Sequence, residues 1–406
     1  MEELALEVAS LAGHILLENG AEISRVEETM ERIAAHYGVV SENFFVLSNG
    51  IFTTGRAGYA KVEFIPFKGA QLERVAAVNQ LSRDIEADKY TLEEARDRLC
   101  EIRASKGKSA WEQILGSAVG SAGFCMIFGG GLLDAAAAFV AGLLLWVFVL
   151  MVSAPHMSKI LGNILGGVFG TALCIVFYKT GFGVSLGNMI VGSLIPLIPG
   201  VAFTNGIRDL ADEDYIAGAT RLLDAVMVFF CIAAGVAITF MADFLIEGNM
   251  LIVNGTEPDA LTGTIPFQAL AAFVGTLGFA VLFGVPRRNY AGTAVIATLG
   301  WVTYLLFERC TILGVIGSTF LATVVVVILA RIFAVWFRTP STVYLITGVF
   351  PMIPGGGIFW TTFFLVSSRF GMAAHSGFNA MGVTAAIVLG IVIISSLPPT
   401  LFRLKK

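Results

Sequence analysis

Two hexapeptides decide the fold: Ile195-Pro196-Leu197-Ile198-Pro199-Gly200 and, 155 residues on (351 minus 196), Phe350-Pro351-Met352-Ile353-Pro354-Gly355. Each falls inside a long apolar run. Two prolines remove backbone donors and a glycine follows, so a helix entering either segment must break. At membrane depth the freed N–H and C=O groups persist only where they are packed in protein or line a polar cavity. Outward from the hexapeptides, the same offset aligns the flanks without a gap. Val119-Gly120 meets Val274-Gly275, Gly123-Phe124 meets Gly278-Phe279, and Phe128-Gly129 meets Phe283-Gly284. Trp146-Val147 meets Trp301-Val302, and Gly162 meets Gly317. The chain holds five Trp and twelve Pro in 406 residues, so a matched Trp and a matched PxxPG point to an internal duplication.

The composition agrees with a membrane setting. Hydrophobic residues make up 56% of the chain and charged residues 14%, where soluble domains carry nearer a quarter charged. Charge is dense over residues 1–108 and sparse beyond 110, which sets the first domain boundary. Helices of roughly 20 apolar residues are needed to cross the bilayer. Ten are expected, at about 112–131, 133–153, 158–178, 184–204, 216–242, 265–285, 289–307, 311–335, 342–366 and 376–398. The expected domains are 1–108, a first five-helix repeat 109–242, an extracytoplasmic loop 243–264, and a second five-helix repeat 265–406. Five is odd, so the second repeat enters from the opposite side. The fold class is an all-α polytopic membrane protein of two inverted five-helix repeats, preceded by a small α+β domain.

The positive-inside rule orients it. With the N-terminal domain in the cytoplasm, inner loops carry Lys159, Arg208, Arg221, Arg287, Arg288, Arg338, Arg403, Lys405 and Lys406. Outer loops carry Lys179, Arg309 and Arg369, and the loop 243–264 holds Asp243, Glu247, Glu257 and Asp259 with no Lys or Arg. Both termini are therefore expected in the cytoplasm of a prokaryotic inner membrane. Met1-Glu2-Glu3-Leu4 begins no cleavable signal. The net charge of −4 offers no nucleic-acid footprint, and Cys100, Cys125, Cys174, Cys231 and Cys310 form no CxxC pair, so neither a metal nor a cofactor is expected.

Candidate binding residues cluster at the breaks: Pro196, Pro199, Gly200, Thr204 and Asn205 in the first copy, and Pro351, Pro354, Gly355, Gly356, Thr361 and Thr362 in the second. A half-helix starting after each break turns its positive end toward the interior, where it suits a carboxylate. Structural kinks are the bland alternative. Ionisable residues inside spans are costly and usually functional. Asp134 opens span two and Asp224 lies in span five; they align with Asn289 and Asn379. A carrier coupled to protons needs such a titratable side opposite a fixed polar one, so Asp224 and Asp134 are candidate coupling residues and Asn379 a binding residue. The competing readings place Asp134 in the interface and pair Asp224 with Arg221 or Arg208. His156 and His375 read as interfacial. Gly183-Val184-Ser185-Leu186-Gly187 fits a nucleophile pattern but lacks its strand-turn-helix context, and Gly162, Gly166 and Gly170 read as helix packing.

Residues 1–20, 22–37, 70–88 and 91–105 read as helices and 43–66 as a strand meander, with Thr91-Leu92-Glu93-Glu94 as a helix cap. The segment Leu17-Glu18-Asn19-Gly20-Ala21-Glu22-Ile23-Ser24-Arg25-Val26-Glu27-Glu28-Thr29-Met30, then Tyr37-Gly38 and Val46 to Thr54, resembles the start of the threonine/serine exporter family. The resemblance extends over the whole chain and departs at Ser48-Asn49, before Gly50-Ile51. It implies export of threonine and serine, or of succinate in a two-component relative, driven by the proton-motive force. A passive facilitator explains the repeat and breaks but leaves Asp224 without a required role. A membrane enzyme would need a nucleophile, metal cluster or cofactor motif. The expected partners are a small carboxylate-bearing metabolite, protons and the bilayer, with a homo-oligomer possible and no nucleic acid.

Overall fold

The computed structural model describes residues 2–39, 44–55, 60–153, 156–248, 251 and 261–398. Glu257, Asp259, Arg403, Lys405 and Lys406, used above for orientation, lie outside them. The N-terminal domain pairs α1 (Glu2–Glu18) with α2 (Ile23–His36), a sheet, and then α3 (Leu72–Glu86) and α4 (Leu92–Ala104). The sheet is a meander, β1 (Phe44–Leu47), β2 (Gly50–Thr54) and β3 (Ala60–Phe64), antiparallel with Phe45 opposite Phe52 and Phe52 opposite Val62. Leu6, Ile15, Met30, Ile33, Ile51 and Leu72 close its core. Thr91 and Glu94 form the expected capping box on α4, satisfying each other's free N–H group.

The bundle follows as α5 (Ala110–Ile127), α6 (Leu132–Phe148, ending in a π-turn Val149–Ser153), α7 (Lys159–Lys179), α8 (Leu186–Leu194), α9 (Gly200–Ala211) and α10 (Tyr215–Glu247). It continues with α11 (Ile265–Leu282), α12 (Tyr290–Cys310), α13 (Gly314–Phe337), α14 (Ser341–Val349), α15 (Gly355–Val366) and α16 (Phe370–Ser395). Among the described residues eight helices are long and apolar enough to cross a membrane, or nine if the bent pair α8–α9 is one span. This is a polytopic membrane protein. Ten spans were expected, and the one absent from the count is 112–131: α5 opens on Trp111-Glu112-Gln113, and its apolar stretch is diluted by glycine and serine. It is helical nonetheless, capped by Ser109 and Glu112, and packs on α6 and α11.

Glycine sets how closely α5 and α11 approach. A Cβ on Gly123 would come within 2.5 Å of Gly275 Cα, and one on Gly278 would come within 2.5 Å of Gly120 N and 2.9 Å of its Cα. A Cβ on Gly120 would meet the Phe279 ring at 2.7 Å, and one on Gly275 the Phe124 ring at 3.0 Å. Shifting residues by 155 and exchanging helices turns each contact into the other. The first polar clasp also has a counterpart. Trp146 Nε1 donates to Gln113 Oε1 at 3.4 Å, and Trp301 Nε1 donates to Gln268 Oε1 at 3.0 Å. The helix packing follows suit: α7 lies on α10 as α13 lies on α16, and α9 on α10 as α15 on α16.

Candidate functional site

Both hexapeptides break their helices, and in the same way. α8 has nine residues, then a 3-10 turn Ile195–Leu197, then the twelve residues of α9. α14 has nine, then a 3-10 turn Phe350–Met352, then the twelve of α15. Pro199 and Pro354 sit just before the new helices, and Gly200 and Gly355 donate to the carbonyls of Ile198 and Ile353 at 2.8 and 2.7 Å. The two breaks touch. A Cβ on Gly200 would lie 2.5 Å from the Phe350 ring and 3.4 Å from Ile353 Cδ1, and one on Gly355 would lie 2.6 Å from Ile198 Cδ1. Phe350 is held in turn by Phe124, Phe279 and Phe283, with ring centroids 5.4, 4.4 and 5.1 Å away. Arg208, near the end of α9, donates to Ser341 and Thr342 at the start of α14, both at 3.3 Å. The two broken spans therefore run antiparallel.

Between the breaks lies a cavity of about 40 Å³, lined by Leu194, Ile198, Phe229, Gly355, Phe359 and Thr362 among others. One water occupies about 30 Å³ in the liquid, and small-molecule sites run to about 300 Å³ or more, so the seam is closed here. Thr361 and Thr362 turn their hydroxyls back onto the carbonyls of Gly357 and Ile358, at 2.7 and 3.0 Å. A Cβ on Gly356 would make only ordinary contacts, with Val191 at 3.9 Å and the Phe128 ring at 4.0 Å. Thr204 is buried with its hydroxyl unpartnered.

Asn205 faces elsewhere. Its Nδ2 donates to the Gly20 carbonyl at 2.7 Å, in the α1–α2 loop, while its Oδ1 has no partner. It lines a second cleft, of about 320 Å³, where Asn49, Lys159, Thr220, Arg221 and Asp224 converge beneath the N-terminal domain. Lys159 Nζ donates to both oxygens of Asp224, at 2.7 and 2.6 Å, where the competing reading names Arg221 or Arg208. Pro196 and Pro351 remain in the turns. Asn379 is not brought to either cavity: its amide lies 3.1 Å from His375 Nε2 on the exposed face of α16.

Asp134 is buried, and its carboxylate accepts from the N–H groups of Gly131, Val184 and Ser185 at 2.9, 2.6 and 2.9 Å. Its counterpart Asn289 donates instead, to Tyr344 Oη at 2.5 Å and Thr339 Oγ1 at 3.3 Å. The local reason is visible. Ser185 offers an N–H where Pro340, at the matching place, has none. An acceptor fits the first site and a donor the second.

A network that the sequence reading did not assemble fastens the N-terminal domain to the bundle. Glu22, 1% exposed, accepts from Arg25 Nε at 2.8 Å and from the Thr342 hydroxyl at 2.8 and 2.7 Å, with Arg208 at 3.4 Å. Burial opposes its charge, yet Arg208 and Arg25, its own backbone and Thr342 hold its carboxyl well below the usual carboxylate range. Beside it Asp209 accepts from Ile23 N at 3.0 Å and from Arg221 Nη1 at 2.6 Å, and Arg221 also donates to the Ala21 carbonyl at 2.9 Å. Gly20, with φ at 88°, makes the left-handed turn that brings this loop in. The signal available in sequence was the family-like stretch around Glu22. Its partners lie 186 and 320 residues away, and no pattern names them.

Comparison with known proteins fits this geometry. A family model described as "Putative threonine/serine exporter" matches residues 7–242, and a second, "Threonine/Serine exporter, ThrE", matches residues 268–397. A threonine/serine exporter of Corynebacterium glutamicum is 19% identical over 96% of this chain and 81% of its own length. An uncharacterized protein of Schizosaccharomyces pombe is 22% identical over 70% of this chain, which spans only 35% of that relative. No solved structure matches. With one model covering more than half its length and the second taking up the remaining helices, this chain belongs to the threonine/serine exporter family.

Proposed function

We propose that the protein is a secondary exporter of threonine- or serine-type amino acids, coupled to protons and working by alternating access between two inverted repeats. The observation that carries this reading is the meeting of two antiparallel broken spans at Gly200 and Gly355. Reciprocal contacts of the kind seen between α5 and α11 are what a two-fold relation between halves produces, because residue i then meets j as j meets i. Rocking such halves about a shared seam exposes it to one side and then the other. The seam is closed in this structure, with the ring of Phe350 packed against Gly200.

The cleft at Asn205 and Asp224 is the proposed waiting site on the N-terminal-domain side. It offers the Asp224 carboxylate and the Lys159 ammonium, paired with each other and free to exchange onto a zwitterion's two charges, with the amides of Asn49 and Asn205 beside them. A zwitterion with a hydroxyl matches that inventory. A dicarboxylate such as succinate needs a further uncommitted cation, and Arg221 and Arg208 are already engaged by Asp209 and Glu22. Asp224 faces the cleft and is the proposed proton carrier. Asp134, whose oxygens are taken up by three N–H groups, is kept as a subsidiary candidate. Lys159, Arg208, Arg221, Arg287, Arg288 and Arg338 all gather at clefts beside the N-terminal domain, which supports a cytoplasmic position for that domain under the positive-inside rule. The Lys159–Asp224 pair also suits a passive facilitator, in which Asp224 is only a structural partner.

Proteoliposomes holding the purified protein test the proposal through counterflow of labelled threonine, serine and succinate, with and without a pH gradient. Uphill movement of threonine or serine that collapses with a protonophore is the expected result. Downhill equilibration indifferent to pH would instead establish the facilitator.

A further inference from the structure

A cavity of about 530 Å³ opens between α2 and α3 of the N-terminal domain and the facing ends of α9, α13 and α14. Its wall carries six arginines: Arg25, Arg32, Arg83, Arg208, Arg331 and Arg338. Glu28 is the one carboxylate on the wall, bound to Arg32 at 2.5 Å, and Glu86 reaches the same arginine at 3.7 Å. Glu22 takes up Arg25 and Arg208 from the side. Arg83 and Arg338 have no carboxylate within ion-pair distance among the described residues. Arg83 instead donates to the carbonyls of Asn79 and Arg338, at 3.3 and 3.1 Å. Burial and the neighbouring Arg25, Arg32 and Arg338 push its guanidinium below the ordinary arginine range, outweighing the opposing pull of Asp84.

The remaining wall adds to the same sign. Thr339, Pro340 and Ser341 open α14 there, so the positive end of a nine-residue helix joins the cluster. Guanidinium is planar and multiply donating and binds carboxylate or phosphate oxygens bidentately, and a wall with this many of them against one carboxylate suits the higher charge and larger oxygen count of a phosphate. Trp336 and Phe337 are exposed on α13 next to Val335 and Arg338 of the wall, as aromatic side chains are where a helix reaches the headgroup level.

We propose that this cleft is a binding site for a phosphate-bearing anion, which bridges α2–α3 of the N-terminal domain to α13 and α14 of the second half. The anion spans the seam between domain and bundle, so its occupancy holds the N-terminal domain down on the bundle. The site is separate from the proposed transport path and stands whether or not that reading holds. Both a soluble phosphate compound and an anionic lipid headgroup carry the required chemistry.

The test uses the full-length protein in phosphatidylcholine nanodiscs, followed by thermal unfolding at constant ionic strength. One arm titrates pyrophosphate; the other replaces part of the lipid with phosphatidylglycerol. Stabilisation in at least one arm is expected, with apparent affinity about ten-fold weaker in Arg83→Gln/Arg338→Gln and unchanged in Arg96→Gln, which lies on α4 outside the cleft. Pyrophosphate alone acting identifies a soluble ligand, phosphatidylglycerol alone a headgroup, and both a site that accepts either. If the double variant does not fold, Arg83→Gln and Arg338→Gln singly are each expected to weaken binding several-fold. Stabilisation absent from both arms, equal in wild type and cleft variants, or lost equally in Arg96→Gln overturns the proposal.

Discussion

The two broken spans share a pattern and differ in what they do with it. Each reads nine residues, a 3-10 turn and twelve residues, with prolines and glycine at matching places. Yet α8 and α9 meet at a bend of 65°, whereas α14 and α15 pass as one segment, Ser341–Leu365. The residues after the break separate them. α9 carries Thr204, Asn205, Arg208 and Asp209 and ends in the grip of the N-terminal domain. α15 carries Phe359, Trp360, Phe363 and Phe364, which stack on one another. Proline fixes where a helix breaks, and the partners of the next turn fix where it goes.

The largest effect should come from severing that grip. Glu22→Gln leaves Arg25 and Arg208 without the buried carboxylate they share, a lesion that costs about 3–5 kcal/mol when one partner of a buried pair is removed. Limited proteolysis should then release the N-terminal domain, while the second break, away from the network except at Thr342, keeps its protection. Equal loosening of both would mean that docking does not set the difference between them.

Glycine substitutions sharpen the comparison. Gly200→Ala drives a methyl into Phe350, whose ring is hemmed in by three others, and overpacking of this kind costs about 1–3 kcal/mol. Gly355→Ala meets only the free end of Ile198 and should cost less. Thermal unfolding of the pair, with Gly200→Ala/Phe350→Leu as a rescue, checks the order. A more damaging Gly355→Ala would show that the aromatic cluster is not the stiffer wall.

Acid offers a milder lesion. The Glu22 carboxyl is depressed in the folded protein, so its contribution is present above the unfolded value, about 4.3, and fades as pH falls below it. Proteolytic release of the N-terminal domain should rise in that window in wild type and be flatter with pH in Glu22→Gln. The smallest effect on stability is expected at Thr204→Val, which deletes an unpartnered hydroxyl and leaves unfolding nearly unchanged or slightly improved. If Thr204 meets substrate, the KM for threonine rises several-fold. Thr362→Val, whose hydroxyl is already spent on Ile358, should move it less.

Much of this was legible because it is periodic or local. The prolines announced both breaks, and the offset of 155 paired Trp146 with Trp301, whose matching bonds to Gln113 and Gln268 the structure supplies. Thr91 announced its own cap. What stayed hidden depends on distant partners. Asp134 and Asn289 looked like a titratable and a fixed copy of one site, while their bonds follow the presence of an N–H at Ser185 and its absence at Pro340. α5 read as a span from its glycine-rich apolar stretch, and the polar first turn that keeps it out of the count weighed too little. Glu22 and Asp209 join segments that no helical period could have linked.

The most direct test of the account sets the two halves against each other through Asp224 and Asn379, the titratable and fixed residues that the 155-residue offset aligns. Uphill threonine movement driven by a pH gradient should be measured in proteoliposomes for wild type, Asp224→Asn and Asn379→Asp. The account predicts that Asp224→Asn loses gradient-driven accumulation while still exchanging threonine, and that Asn379→Asp retains it. Accumulation by Asp224→Asn at the wild-type level would contradict proton coupling through the first half.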